Sequence, residues 1–318
     1  MRVAAYQHGI YPRSEAVVAA TRGLERGRVS PEEVEAAFAE DRAEFVLAQQ
    51  DAGLDFFSDG LLRWQDIFRP LVDATAGLEA RTLVRWFDNN SFFRAPELVG
   101  ELGLAKPVPE VYLGDEDLPA PRVATLPSPY AFSRATQATT SPTDLIGELT
   151  REVLAPVVRA VAARGYEVIH LQEPWLAYFG IDDEDWNPFE KALTDLRNAA
   201  GDRTLVLHLY FGDAGPHADR LRSLPVDVLG IDFLETDPAS LGSQWELGLL
   251  AGCIDGRSSL VESVDATVAF VKEALDRTGA RELYVSSNAE LELLPRDLAR
   301  TKVERLGEIS ARLKEELQ

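Results

Sequence analysis

Apolar and polar positions recur along this chain in two periods. Short apolar or β-branched runs bounded by turn residues fall at 2–7, 54–58, 122–127, 167–171, 204–209, 228–233, 247–252 and 282–287. Each predicts a strand. Several, such as "TLVLHL" at 204–209, are apolar on consecutive positions. That is the pattern of parallel strands covered on both faces. Between them runs a helical period. The segment 30–50 opens with Ser30 as N-cap, Pro31 at the first helical position and Glu33 closing a capping box. Val34, Phe38 and Phe45 give it an inward face. The segment 141–165 opens on Ser141-Pro142 and closes on Gly165, a C-terminal stop. Segments 261–279 and 294–317 are also amphipathic. Strand and helix alternate about eight times, which predicts a (β/α)8 TIM barrel filling 1–318 as one domain. Residues 81–120 break the rhythm. They predict a hairpin or extended loop over the barrel mouth, then a Pro-rich connection from Lys106 to Arg122.

Composition narrows the class. The chain has 318 residues, 46% hydrophobic and 27% charged, with a net charge of −21. So acidic a surface repels phosphate backbones, which argues against nucleic acid. No window of 18 apolar residues appears, so no membrane partner is expected. The first residues read as a strand, not a signal peptide. The single cysteine, Cys253, excludes an internal disulfide framework and fits a reducing cytoplasm. It also excludes a zinc site needing two thiolates from this chain.

In such a barrel the chemistry lies at the C-terminal strand ends. There the sequence places His8, Tyr11 and Arg13; Ser58 and Asp59; Ser128 and Tyr130; Gln172 and Glu173; His208 and Tyr210; Asp232; Asp255 and Arg257; and Ser286, Ser287 and Asn288. His170 lies within its strand and points toward the core. The ligand types on offer are His8, His170, His208 and His217 with Asp59, Glu173 and Asp232, and the candidate set among them is His208 with Asp232 and Glu173. No His-x-x-x-His or Cys-x-x-Cys spacing supports it, so no metal is expected. Glu173 and Asp232 could instead form an acid/base pair, as in barrel glycosidases. Equally, Glu173 before Pro174 could anchor a helix start, and Asp232 could hold a backbone amide.

Six segments carry a family resemblance: "GIYPRS", "AGLDFFSDGLLRWQD", "VRWFDNNSFFRAPE", "GYEVIHLQEPWL", "LHLYFGDAG" and "LYVSSNAELELLPRD". Their order resembles that of cobalamin-independent methionine synthase, over nearly the whole chain. That family has two similar barrels. The C-terminal one binds homocysteine and zinc. The N-terminal one lacks zinc, packs against the first and helps hold the polyglutamate tail of methyltetrahydrofolate. The catalytic barrel's His-x-Cys reads His208-Leu209-Tyr210 here, its strand-six Glu reads Asp232, and its Asp-Cys-Gly reads Asn288-Ala289-Glu290. Its Asp-Glu-Pro reads Gln172-Glu173-Pro174, and its Asp-Gly-Glu reads Asp59-Gly60-Leu61. The zinc-free barrel's pattern is met by Arg85-Trp86-Phe87-Asp88-Asn89-Asn90-Ser91-Phe92-Phe93, by Tyr210-Phe211 and by Gly252, Gly256 and Arg257.

The resemblance therefore implies a stand-alone, zinc-free barrel in methyl transfer from a methyl-folate-type donor to homocysteine, working beside a separate zinc-bearing barrel. It places His208, Glu173 and Asp232 at the catalytic positions. It places Arg13, Arg85, Asn89, Asn90, Gln172, Tyr210, Arg257 and Ser287 around the substrate or folate. The segment "SEAVVAATRG" is shorter and nearly uncharged where the family has a basic run, leaving Arg13 and Arg85 for an anionic tail. Two other functions fit the residues. One is an autonomous zinc-independent enzyme acting on another small anionic substrate. The other is a non-catalytic scaffold using exposed Trp64, Trp86, Phe92 and Phe93 as an interface.

Overall fold

A computed structural model describes residues 1–104 and 118–317. Seven parallel strands make the main sheet: β1 (Val3–Ala5), β4 (Arg122–Pro127), β5 (Tyr166–Glu173), β6 (Thr204–Leu209), β7 (Val228–Asp232), β8 (Gly248–Ile254) and β9 (Leu283–Ser287). Their spatial order is β1-β9-β8-β7-β6-β5-β4. The gap between β1 and β4 is filled by the segment 54–58. Asp55 N–H donates to the Ala5 carbonyl, Phe57 N–H to Pro121, and Val123 N–H to Phe57. The expected strand 54–58 thus closes the barrel, reduced to one bridge between Phe57 and Arg122. The cause is local. Ala5 N–H donates to the Asp55 carboxylate at 2.7 Å, so a side chain takes the place of a ladder acceptor.

Residues two apart on a strand share a face, so each strand supplies the interior in layers. The lowest layer is apolar, with Ala4, Phe56, Val123, Val168, Val206, Val228, Leu250 and Tyr284 in one buried cluster. Two positions on, Tyr6, His170, His208, Gly230, Gly252 and Ser286 follow. Two further on come His8, Gln172, Tyr210, Asp232 and Asn288. The intervening Ile169, Leu171, Leu205, Leu207, Ile231 and Leu249 face outward into the helix-packed core.

The helices are α1 (Glu15–Glu25), α2 (Pro31–Asp51), α3 (Arg69–Ala74), α4 (Pro129–Ala135), α5 (Pro142–Leu149), α6 (Ala155–Ala163), α7 (Pro174–Phe179), α8 (Asp183–Ala200), α9 (Ala218–Leu221), α10 (Val264–Thr278) and α11 (Arg296–Glu316). The Ser30–Glu33 capping box on α2 is present in both directions. The predicted helix 141–165 is interrupted. A wider π turn at Thr150–Leu154 separates α5 from α6, just before Pro156, which has no N–H to continue an α ladder. Helix α1, in the segment "SEAVVAATRG", is an element the hydrophobic pattern did not single out.

The interruption near 81–120 is an antiparallel hairpin of β2 (Thr75–Arg85) and β3 (Phe92–Leu104), starting earlier than expected and bulged between Ala76 and Leu78 and between Ala80 and Leu83. Most of the expected Lys106–Arg122 connection lies outside the described residues. The hairpin tip folds back over the strand ends. Trp86, Phe93 and Phe68 are buried there against Trp175. This corrects the expected exposed aromatic interface. Trp64 is 1% exposed, Trp86 5% and Phe93 3%, whereas only Phe92 of the four, at 48%, faces solvent.

Candidate functional site at the barrel mouth

The strand-end side chains sort into three groups. The first holds the backbone. Glu173 caps α7 by accepting from Leu176 N–H at 2.8 Å, and it also accepts from Ala131 N–H at 3.0 Å and from the Ser128 hydroxyl. Burial pushes its carboxyl up to about 7, against those hydrogen bonds. Asp232 accepts from Phe211 N–H at 3.1 Å, from Leu234 N–H at 3.0 Å and from the Asn288 amide at 3.1 Å. Burial raises it to about 6. Both carboxylates therefore do the structural work that the sequence allowed as an alternative. Neither is gathered with His208 into a metal-ligand set among the described residues.

The second group is a buried imidazole cluster. His8, His170 and His208 are all fully buried, with one ring nitrogen from each lying within 4.8 Å of the others. The rings of His8 and His170 stack at 4.2 Å, and His208 stands edge-on to both, at 4.9 and 5.2 Å. His8 Nε2 faces the Ser287 carbonyl at 3.1 Å and its Nδ1 faces the Gln172 amide nitrogen at 3.3 Å. His170 Nδ1 pairs with the Tyr6 hydroxyl at 2.9 Å. His170 Nε2, both nitrogens of His208, Gln172 Oε1 and the Tyr210 hydroxyl have no partner. Burial lowers His8 to about 4 and the other two well below their ordinary value, so all three imidazoles are neutral at pH 7. Space for His208 comes from its neighbours: a Cβ on Gly230 would lie 2.7 Å from its ring, and one on Gly252 3.2 Å from Nε2. Of this cluster the sequence had singled out His208 as a site residue. His8 and His170 were on offer as ligand types, but neither was joined with His208 into one set.

The third group surrounds the opening. Asn89, Asn90, Ser91, Arg257, Glu292 and Leu293 line a cavity of about 450 Å³. Arg257 donates to Glu235 at 2.6 Å, reaches Asp88 at 3.5 Å and lies 5.0 Å over the Phe211 ring. Arg85 closes its own hairpin turn by donating to the carbonyls of Asn89 and Asp88. Arg13 donates to the Trp64 carbonyl. The two arginines expected for an anionic tail are thus already engaged. The Ser287 hydroxyl accepts from Gln7 at 2.7 Å. Glu290 and Glu292, shortly after β9, were not read as site residues in the sequence. Burial, and then their mutual repulsion, raises Glu290 well above the ordinary range, and burial also raises Glu292. Their alternation in "NAELEL" was the available signal.

A zinc-thiolate centre does not fit these residues. Tyr210 is fully buried at one thiolate position and Ala289 at the other. Cys253 sits in the outward-facing apolar core, and burial pushes its thiol up to about 12.

Comparison with known proteins agrees with this architecture. Residues 73–279 match the family model for the cobalamin-independent synthase, N-terminal domain. The chain belongs to the cobalamin-independent methionine synthase family. A 5-methyltetrahydropteroyltriglutamate–homocysteine methyltransferase from Salinibacter ruber is 30% identical over 70% of this chain. The match takes in only 30% of that larger protein. A methionine synthase from Sulfolobus acidocaldarius is 24% identical over 98% of this chain and 92% of its own length. Among solved structures, a B12-independent methionine synthase from Shewanella sp. W3-18-1 superposes with a TM-score of 0.73 at 16% identity, covering 99% of this chain and 98% of the other. That likeness supports the barrel fold.

Proposed function

We propose that this chain is a single barrel domain, 1–318, that acts in the cytoplasm in methyl transfer from a methyl-folate-type donor to homocysteine. It serves as the folate-binding or docking partner of a separate zinc-bearing barrel. The observation that carries this reading is the chemistry of the missing donors. Homocysteine attacks as a thiolate, and zinc is what lowers the thiol pKa and aligns the nucleophile. A family member with Tyr210 and Ala289 where thiolates would stand needs that activation from another chain. The donor lies in the 450 Å³ cavity against Asn89, Asn90 and Arg257. Glu173 and Asp232 position the loops around it. With Arg13 and Arg85 engaged and a net charge of −21, a donor with a short tail is favoured over a long polyglutamate.

The test combines calorimetry with reconstitution. Purified chain is titrated with 5-methyltetrahydrofolate, then mixed with a zinc-bearing homologue from the same genome in a methyl-transfer assay. Binding of the folate or stable association with the homologue, together with methyl transfer only in the mixture, is the expected result. A chain that does neither, or that makes methionine alone, overturns the reading.

A further inference from the structure

We propose that a small cavity beneath the hairpin tip binds one monovalent cation of the potassium type, on the carboxylates of Glu290 and Glu292 and the hydroxyl of Ser91. Nothing in this inference depends on the folate or partner reading. The cavity measures about 10 Å³, close to the room that a single water-sized guest needs. Trp86 and Phe93 of the hairpin give it apolar walls, and Asp66, Ser91, Glu290 and Glu292 give it oxygen atoms. Its lining holds no His, Cys, Lys or Arg among the described residues.

Three carboxylates around so small a space call for a counter-charge. Glu290 is 6% exposed, and its Oε1 is buried with no partner. A lone acceptor in that position is costly unless something meets it. The backbone makes way for it. Gly9 has a φ of +73°, and a Cβ there would lie 2.4 Å from Glu290 Cγ and 2.9 Å from the Gln172 amide nitrogen. That amide also favours the ionised form of Glu290. The Ser91 hydroxyl donates to Glu292 at 3.2 Å, so its oxygen keeps lone pairs for a cation. Asp66 is engaged by the N–H groups of Phe68, Arg69 and Arg94, and it adds charge rather than a ligand. The nearby cations are turned elsewhere. Arg13 faces Glu292 but donates to the Trp64 carbonyl, and Arg69 pairs with Asp73.

Donor type and size choose the ion. Oxygen donors select hard cations over transition metals. Calcium takes about six to eight oxygens, and magnesium demands a near-ideal octahedron. Among the described residues only the three histidines bring ligand atoms of such a set within 4.8 Å of one another, so these carboxylates are too spread for either ion. A monovalent cation, with longer and less directional bonds, tolerates the spread. It also cancels one charge where Glu290 and Glu292 repel each other. Bound there, it would join Ser91 on the hairpin turn to the stretch after β9 and hold the hairpin down.

Calorimetric melting of the full chain in KCl, NaCl and choline chloride, at equal ionic strength and mildly alkaline pH, tests the site. Saturating K+ should raise the melting temperature by at least ~2 °C over choline, along a single-site binding curve, with Na+ giving less. Glu290→Gln keeps the shape of the side chain and removes its charge, and it should abolish most of the K+-specific rise. Thallium(I) nitrate in chloride-free buffer, a potassium substitute, gives a direct reading. Its NMR line should broaden on the wild-type chain and recover on adding K+ but not choline. The idea is overturned if the wild type melts alike in K+ and choline, which would mean that a proton neutralises Glu290 instead. It is also overturned if Na+ matches K+, or if the folded variant keeps the full rise. Should the variant fail to fold, the thallium line on the wild type decides: no K+-reversible broadening refutes the site.

Discussion

At the residue scale, the mouth shows how one residue type serves opposite ends. Glu173 is a fully buried carboxylate satisfied by two helix N-termini, α4 and α7. Its hydrogen bonds favour the ionised form, yet burial wins and raises the group from 4.5 to about 7. A folded-state value above the unfolded one means that folding favours the protonated form. Its contribution is present in full below about pH 4.5 and is lost as pH rises through about 7. Calorimetric melting of the wild type should therefore fall across that interval. Glu173→Gln should flatten the fall while lowering the overall melting temperature, because an amide cannot accept from all the donors at once. An unchanged slope in the variant would remove Glu173 as its source.

At the element scale, barrel closure rests on a side chain. Asp55 accepts from Ala5 N–H at 2.7 Å and pairs with Lys314 of α11, also at 2.7 Å. It thereby ties β1, the bridging segment and the last helix together. The ion pair is about a third exposed on both sides and adds little. The hydrogen bond to the partly buried amide counts for more. Asp55→Ala should cost about 1–3 kcal/mol in urea unfolding, while Asp55→Asn should recover most of it by keeping the acceptor. Equal losses in both would shift the credit to the ion pair. This is also where pattern reading reached its limit. Strands β4 to β9 were legible because both of their faces are buried, which writes continuous apolar runs into the sequence. The segment 54–58 has the same apolar run but not the ladder, since Asp55 competes for it. The capping box at Ser30 was legible because it is wholly local, whereas the meeting of His8, His170 and His208 was not. It depends on the stagger that closure imposes between strands, which no single stretch records.

At the scale of the whole molecule, the mouth is shut by the hairpin, and one residue clasps it. Arg257 reaches Asp88 on the hairpin turn, Glu235 beyond β7 and the Phe211 ring beyond β6. Phe87, on the same turn, packs on Trp175 at 4.7 Å, Tyr178 at 5.1 Å and Phe211 at 5.4 Å. The turn is thus held by an apolar contact and an ionic one. Ion pairs as exposed as these are worth about 0–1 kcal/mol, so Arg257→Ala should leave global unfolding within that margin. Locally the same loss is a larger fraction of what holds the loop, because a loop that opens without global unfolding draws on its own few contacts. Amide exchange over residues 86–92 should quicken by up to ~5-fold, the equivalent of about 1 kcal/mol. If the donor binds under this hairpin, its affinity should fall by a similar factor, since the ordering lost in the free chain must be restored on binding. Hydrogen exchange and calorimetry on the same preparation separate the two claims. Unchanged exchange would mean that Arg257 is not what holds the turn. Quickened exchange with unchanged affinity would mean that the donor does not bind beneath the hairpin, and the folate half of the proposed function would fall with it.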